Sequence, residues 1–282
     1  MQIKKFPEFC EQVLPDFNKF LNDKLNSAIK QETLRDAMLY SLNAGGKRVR
    51  PMLFLAVAYS CGVKLEDLPK YFDIAGAIEL IHTYSLIHDD LPEMDDSDYR
   101  RGKLANHKKF GVGPAVLAGD GLLTQAFYWI AKSSLGTDKR MASVRILAHN
   151  AGPMGMVAGQ MTDITMENKK LSEEDLTKLH KQKTADLITA AVTMGAFCAN
   201  HDSSKNLVKY ANSIGLAFQL KDDLNDSDND EDDNKNTFPN LIGKEATEVK
   251  LNDLVKEALN AVLKEEKFDK NLLVSFLDYF RE

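Results

Sequence analysis

Cysteine is scarce in this chain: three residues in 282, at Cys10, Cys61 and Cys198. They are odd in number and far apart. That spacing fits neither a zinc site nor a disulfide framework, so a reducing compartment, the cytoplasm, is expected. Long apolar runs are missing as well. The longest, near 52–58 and 187–199, are too short to cross a bilayer. The opening MQIKKFPEFCEQ lacks the apolar core of a signal peptide. No linker rich in Pro, Gly or Ser divides the chain, no repeat is visible, and no run alternates apolar with polar residues. A single domain over 1–282 is the expectation. A Ser-His-Asp or Cys-His pairing signal is also lacking.

Net basicity is lacking too. Thirty-six Lys and Arg stand against forty-two Asp and Glu, a formal charge of −6. The excess is uneven. Residues 222–233, DDLNDSDNDEDD, hold eight acids and no base, and residues 89–98, DDLPEMDDSD, hold six more. Without those fourteen acids the rest of the chain carries +8. This excludes a general nucleic-acid binder, which needs a basic surface. It suits a protein that collects divalent cations and then a small polyanion.

What is present is helical periodicity. Phe9, Val13, Phe17, Phe20 and Leu21 recur at spacings of three and four, one apolar face. Similar patterns cover 30–43, 49–62, 69–91, 112–133, 138–158, 172–200, 203–224, 244–263 and 268–281. Apolar residues make up 44% of the chain, enough for a large core. The expected fold is all-α, one bundle of about ten helices. Residues 74–87 and 188–199 are apolar nearly all round, as helices at the middle of a bundle are.

Carboxylates on such helices are expensive unless paired or bound to metal. The first group is Asp89, Asp90 and Asp95, spaced D-D-x-x-x-x-D at the end of an apolar helix, where Pro92 should loosen the chain. His82, Ser85 and Asp89 share a face. The second is Asp222, Asp223 and Asp226, spaced D-D-x-x-D. With Gln219 they form one polar stripe on an apolar helix. Like charges one turn apart repel. Cations resolve the repulsion, and all-oxygen ligands suit Mg2+, which shares its shell with substrate phosphates. The alternative for either group is a solvated acidic face. That plain reading is the one expected for the acids from Asp228 to Asp233.

Bases stand nearby. Residues 43–51, NAGGKRVRP, make a glycine turn and a cationic helix start with Lys47, Arg48 and Arg50. Arg100, Arg101 and Lys103 follow the first group. Lys183-Thr184 opens an apolar helix, and Lys235 and Lys244 follow the second group. Acids and bases together point to diphosphate, held partly through Mg2+ and partly by direct charge-assisted hydrogen bonds.

The set GGKRVRP (45–51), HTYSLIHDDLPEMDDSDYRRGK (82–103), GDGLL (119–123), GQMTDI (159–164), KT (183–184) and FQLKDDLND (218–226) resembles the trans-isoprenyl diphosphate synthases, most closely their bacterial farnesyl-type members. The motifs run in family order across about two-thirds of the chain. The resemblance implies a helical fold around a central cavity, a cytoplasmic homodimer, and Mg2+ as cofactor, three ions per active site. Asp89, Asp90, Asp95, Asp222, Asp223 and Asp226 match metal ligands. Arg100, Lys183 and Lys235 match contacts to an allylic diphosphate. Lys47, Arg50, His82 and Arg101 match the isopentenyl diphosphate site. Thr184 and Gln219 match residues beside the reacting carbons, so Lys183, Thr184, Gln219 and Arg100 are the expected catalytic set. Asp163, in the GQ-x-x-D segment, receives no direct role. Neither nucleic acid nor membrane is an expected partner.

The implied reaction joins isopentenyl diphosphate to dimethylallyl or geranyl diphosphate and yields farnesyl diphosphate. Geranylgeranyl (C20) or geranyl (C10) diphosphate is the alternative product. Tyr84 lies five residues before Asp89, about 7.5 Å along a helix. With Ser85 it is the expected limit on product length, although Tyr84 can equally be read as core packing. Helix 112–133, with Phe127, Tyr128 and Trp129, is a candidate dimer face, and core packing of those rings is the equal alternative.

Two departures from the family pattern stand out. The loop after the second group is the short acidic run SDNDEDDN, followed at once by Lys235. Asn225 stands where an apolar residue is usual. Three rival readings are weaker. A metal phosphohydrolase centred on His88-Asp89 leaves the second group idle. A terpene cyclase needs no second diphosphate site. A non-catalytic partner subunit tends to lose motif aspartates, and all six are present.

Overall fold

The computed structural model describes residues 3–167, 169–201, 205–227 and 236–281. Among them are fourteen α-helices and one tiny hairpin. The all-α expectation holds, and the additional helices are short. The pattern at 138–158 resolves into α7 (Thr137–Ala151) and α8 (Met156–Thr165). Two five-residue helices, α5 (Asn106–Phe110) and α12 (Phe238–Ile242), are too brief to show periodicity. The strands β1 (Tyr99–Arg100) and β2 (Lys103–Leu104) are likewise too short to alternate.

The described chain divides into two compact units. One comprises residues 10–55 and 64–144. Its center is α4 (Phe72–Asp89) packed on α6 (Val112–Lys132). Ile74, Ala75, Ala77, Ile78, Leu80 and Ile81 of α4 are all fully buried, which explains a helix apolar on every side. Gly76 permits the close approach: a Cβ there would meet the Trp129 ring at 2.8 Å. Trp129 also lies edge-on to Phe20, ring centers 5.8 Å apart. It is therefore core, while Tyr128 is exposed.

The other unit comprises the described residues within 1–9, 56–63 and 145–282. Here α10 (Asp186–Cys198) packs on α11 (Lys205–Ser227), and α11 on α13 (Lys244–Leu263). The predicted helix 172–200 is continuous but interrupted in register. α9 (Glu173–His180) opens on Ser172, whose hydroxyl caps the Asp175 amide at 3.1 Å. One π-helical turn, Lys181–Ala185, then leads into α10. Such a turn inserts a wide loop in the hydrogen-bond ladder and is common at functional sites.

No described helix is long and apolar enough to cross a membrane. All three cysteines are free thiols. Burial, and then the charge of Glu11 or Glu265, pushes Cys10 and Cys61 each up to about 12, so neither is a ready nucleophile.

Candidate active site

In the first unit the chain leaves α4 at Asp89 and curls before Pro92 can extend it. The Asp95 amide donates to the Asp89 carbonyl at 2.9 Å, so the loop returns its last aspartate to the helix end. Asp95 is exposed and Asp89 half-buried. Asp90 differs. It is 2% exposed, and Arg100 grips it with Nε at 3.0 and 3.3 Å from the two carboxylate oxygens and Nη2 on Oδ1. A two-sided contact of this kind fixes both partners in place.

The hairpin presents Arg100 and Arg101. Register pairs Tyr99 with Leu104 and Arg100 with Lys103. Arg101 (φ 53°) and Gly102 (φ 75°) form the two-residue turn, whose positive φ angles match strand twist. Tyr40 donates to the Leu104 carbonyl at 2.9 Å and Arg101 to the Gly45 carbonyl at 2.5 Å, which stitches the hairpin to the glycine turn. Gly46 (φ +110°) lies under the Arg101 guanidinium; a Cβ would be 2.6 Å from its central carbon.

Arg48, grouped by sequence with the bases that point to diphosphate, is instead part of the fold. It is buried with Glu79 at 2.7 Å, side chains 6% and 2% exposed. It also donates to the Leu42 carbonyl, and to Asn18 at 3.3 Å. Lys47 beside it is exposed. Arg50 Nη1 lies 3.4 Å from His82 Nε2. An arginine can only donate, so this nitrogen accepts and the imidazole is neutral. Burial, then the charges of Arg50, Arg101, Arg48 and Arg100, holds His82 well below its ordinary value. Five groups predicted from sequence, Arg50, His82, Arg100, Arg101 and Asp90, are thus gathered in one cationic corner.

Tyr84 is 7% exposed, its ring edge-on to His88 at 5.7 Å. Burial and then Asp89 raise its hydroxyl to about 12. Ser85 donates to the His82 carbonyl at 3.0 Å within its own helix.

In the second unit the π-turn carries Lys183 and Thr184. Lys183 Nζ lies 2.5 Å from Asp163 on α8, which gives that previously roleless aspartate a partner. Thr184 donates to Gln219 Oε1 at 3.0 Å, and Gln219 Nε2 donates to Asp223 Oδ1 at 2.9 Å. The Phe238 amide donates to the other Asp223 oxygen at 3.1 Å. Asp223 is 5% exposed, and burial raises it to about 6 against those hydrogen bonds. Asp222 and Asp226 are exposed on the same helix. Asn225 is exposed too, which accounts for a polar residue there. Lys235 and the acids 228–233 lie outside the described residues.

The second unit also holds His180, which sequence reading passed over because a lone histidine on an apolar face carries no signal. Burial pushes it down to about 4.

The donor chemistry suits Mg2+: Asp89, Asp95, Asp222 and Asp226 offer accessible carboxylate oxygens. Among the described residues no three His, Cys, Asp or Glu side chains form a closed cage. Mg2+ characteristically keeps waters and completes its shell with phosphate, so it needs none.

Two aspartate-rich groups on apolar helices, each accompanied by lysine or arginine, define a helical enzyme class that handles diphosphate esters. The family described as Polyprenyl synthetase matches residues 31–273. The chain is 40% identical over 273 residues to a farnesyl diphosphate synthase of Micrococcus luteus, covering 91% of this chain and 92% of that protein. Its structure is similar to a FPP/GFPP synthase of Zymomonas mobilis (TM-score 0.87, 34% identity, 97% and 98% of the two chains). It is also similar to a Helicobacter pylori geranyltransferase complexed with magnesium and isoprenyl diphosphate (TM-score 0.85, 34% identity, 98% and 97%). This chain belongs to the polyprenyl synthetase family.

Proposed function

We propose that the chain is a farnesyl diphosphate synthase, a prenyltransferase that condenses isopentenyl diphosphate with dimethylallyl or geranyl diphosphate. The observation that carries this reading is the pair of intact aspartate groups. Each has at least one exposed member and one buried member held by protein hydrogen bonds.

Asp89 and Asp95 in one group and Asp222 and Asp226 in the other would hold Mg2+, with three ions expected in all. Mg2+ neutralises the charge that builds on departing diphosphate. Asp90 and Asp223, the buried member of each group, fix its orientation through their protein hydrogen bonds. Lys47, Arg50, Arg101 and neutral His82 receive isopentenyl diphosphate, and Arg100, Lys183 and Lys235 the allylic diphosphate. Pre-organised cations of this kind stabilise developing negative charge without reorganising. Thr184 and Gln219 hold oxygen dipoles toward an allylic cation. Proton loss from the condensed product falls to the departed diphosphate, since His82 is neutral but faces arginines. The matched family segment spans both compact units, which supports reading 1–282 as one functional domain. We take the protein to be a cytoplasmic homodimer.

The test is a product analysis with isopentenyl diphosphate plus dimethylallyl or geranyl diphosphate, with and without Mg2+. Farnesyl diphosphate is expected with Mg2+ and none after chelation. Recovery of no prenyl diphosphate longer than the input would overturn the reading.

A further inference from the structure

His180 ends α9 and is 5% exposed, yet among the described residues neither ring nitrogen has a hydrogen-bond partner. Buried polar groups are nearly always paired, because an unmade hydrogen bond forfeits the hydration given up on burial. The exception therefore asks for an explanation. Its Nε2 lies 3.6 Å from Asp223 Oδ2, a few tenths beyond a hydrogen bond. Its ring packs on Phe238, centers 5.5 Å apart at 33°. The Phe238 amide already donates to that same oxygen. Asp223 thus ties α11 to the start of α12 and, through Gln219, to Thr184 on the π-turn. The π-turn begins at the residue after His180. One unpaired donor therefore adjoins the point where three segments meet.

We propose that His180 is a positioning residue: its Nε2–H closes on Asp223 Oδ2 when Mg2+ and diphosphate bind. That contact sets α11, with Asp222 and Asp226, against the turn that carries Lys183 and Thr184. His180 touches neither substrate nor metal. The proposal rests on the prenyltransferase reading above and adds a member to its machinery.

Two substitutions separate this role from simple packing. His180→Phe keeps a ring on Phe238 and removes both nitrogens. His180→Gln removes the ring and keeps an N–H at similar reach. Residues that orient the groups around a metal site typically change metal affinity or activity 10–100-fold. His180→Phe is therefore expected to lower kcat about tenfold, with KM for isopentenyl diphosphate within about twofold. It should also raise the Mg2+ needed for half-activity. His180→Gln should recover most of the loss. Calorimetric titration of inorganic diphosphate in the presence of Mg2+ reads the same effect without turnover, with affinity lowered about tenfold in His180→Phe and restored in His180→Gln. Circular dichroism confirms folding, and His180→Gln carries the test if His180→Phe does not fold. Wild-type values for His180→Phe, or equal losses in both folded variants, overturn the proposal. A wild-type enzyme that makes no prenyl product overturns the reading beneath it instead.

Discussion

Arg48, Arg50, Arg100 and Arg101 look interchangeable in sequence, and burial separates them. Arg48 is consumed by Glu79 in a fold anchor; loss of one partner of such a buried pair costs about 3–5 kcal/mol. Arg100 is committed to Asp90, while Arg50 and Arg101 flank His82. The same holds for the aspartates. Spacing marks all six, but only side-chain packing shows Asp90 and Asp223 turned inward. Tyr84 is buried beside His88, about one and a half helical turns before Asp89, where a lengthening apolar chain would need room. Truncation to Tyr84→Ala opens a cavity there. We expect product length to shift from C15 toward C20, read by chromatography of the dephosphorylated products. Unchanged C15 would show that Tyr84 serves packing alone.

Among the elements, long helices were legible because their apolar periodicity extends over many turns. Short ones were not: α5, α12 and the hairpin have too few residues to establish a period. The π-turn was invisible for another reason. KQKTA has no distinctive composition, and the turn depends on what packs against it. Gly159 on α8 is part of that packing, since a Cβ there would lie 2.4 Å from the Lys183 backbone nitrogen. Gly159→Ala must push the turn aside, and displacements near 1 Å can cost about 100-fold in rate. We expect kcat to fall about that far in steady-state assays while the protein stays folded. Gly113→Ala, where nothing lies within 4 Å, should be silent. Equal activity in both variants would mean that the turn's placement does not limit catalysis.

For the molecule as a whole, self-association is the main open property with a surface to test. Trp129 belongs to the core, so the aromatic triplet on α6 does not act as one patch. Leu117 and Tyr128 are 61% and 55% exposed and lie three turns apart on α6, on one face. If they form the homodimer contact, Leu117→Glu with Tyr128→Glu should halve the mass measured by size-exclusion chromatography with light scattering. A dimer that survives both changes places the contact elsewhere.

Sequence by itself determined the helical class and the family, because periodicity and ordered motifs are one-dimensional properties. It also marked the carboxylates and cations by type and spacing. Tertiary structure alone decided which of them are buried and tied into the fold, because burial and partners are set by residues distant in the chain. Hence Arg48 is a buried partner of Glu79, Asp90 and Asp223 are buried and held by neighbors, and an unremarked histidine lies beside Asp223.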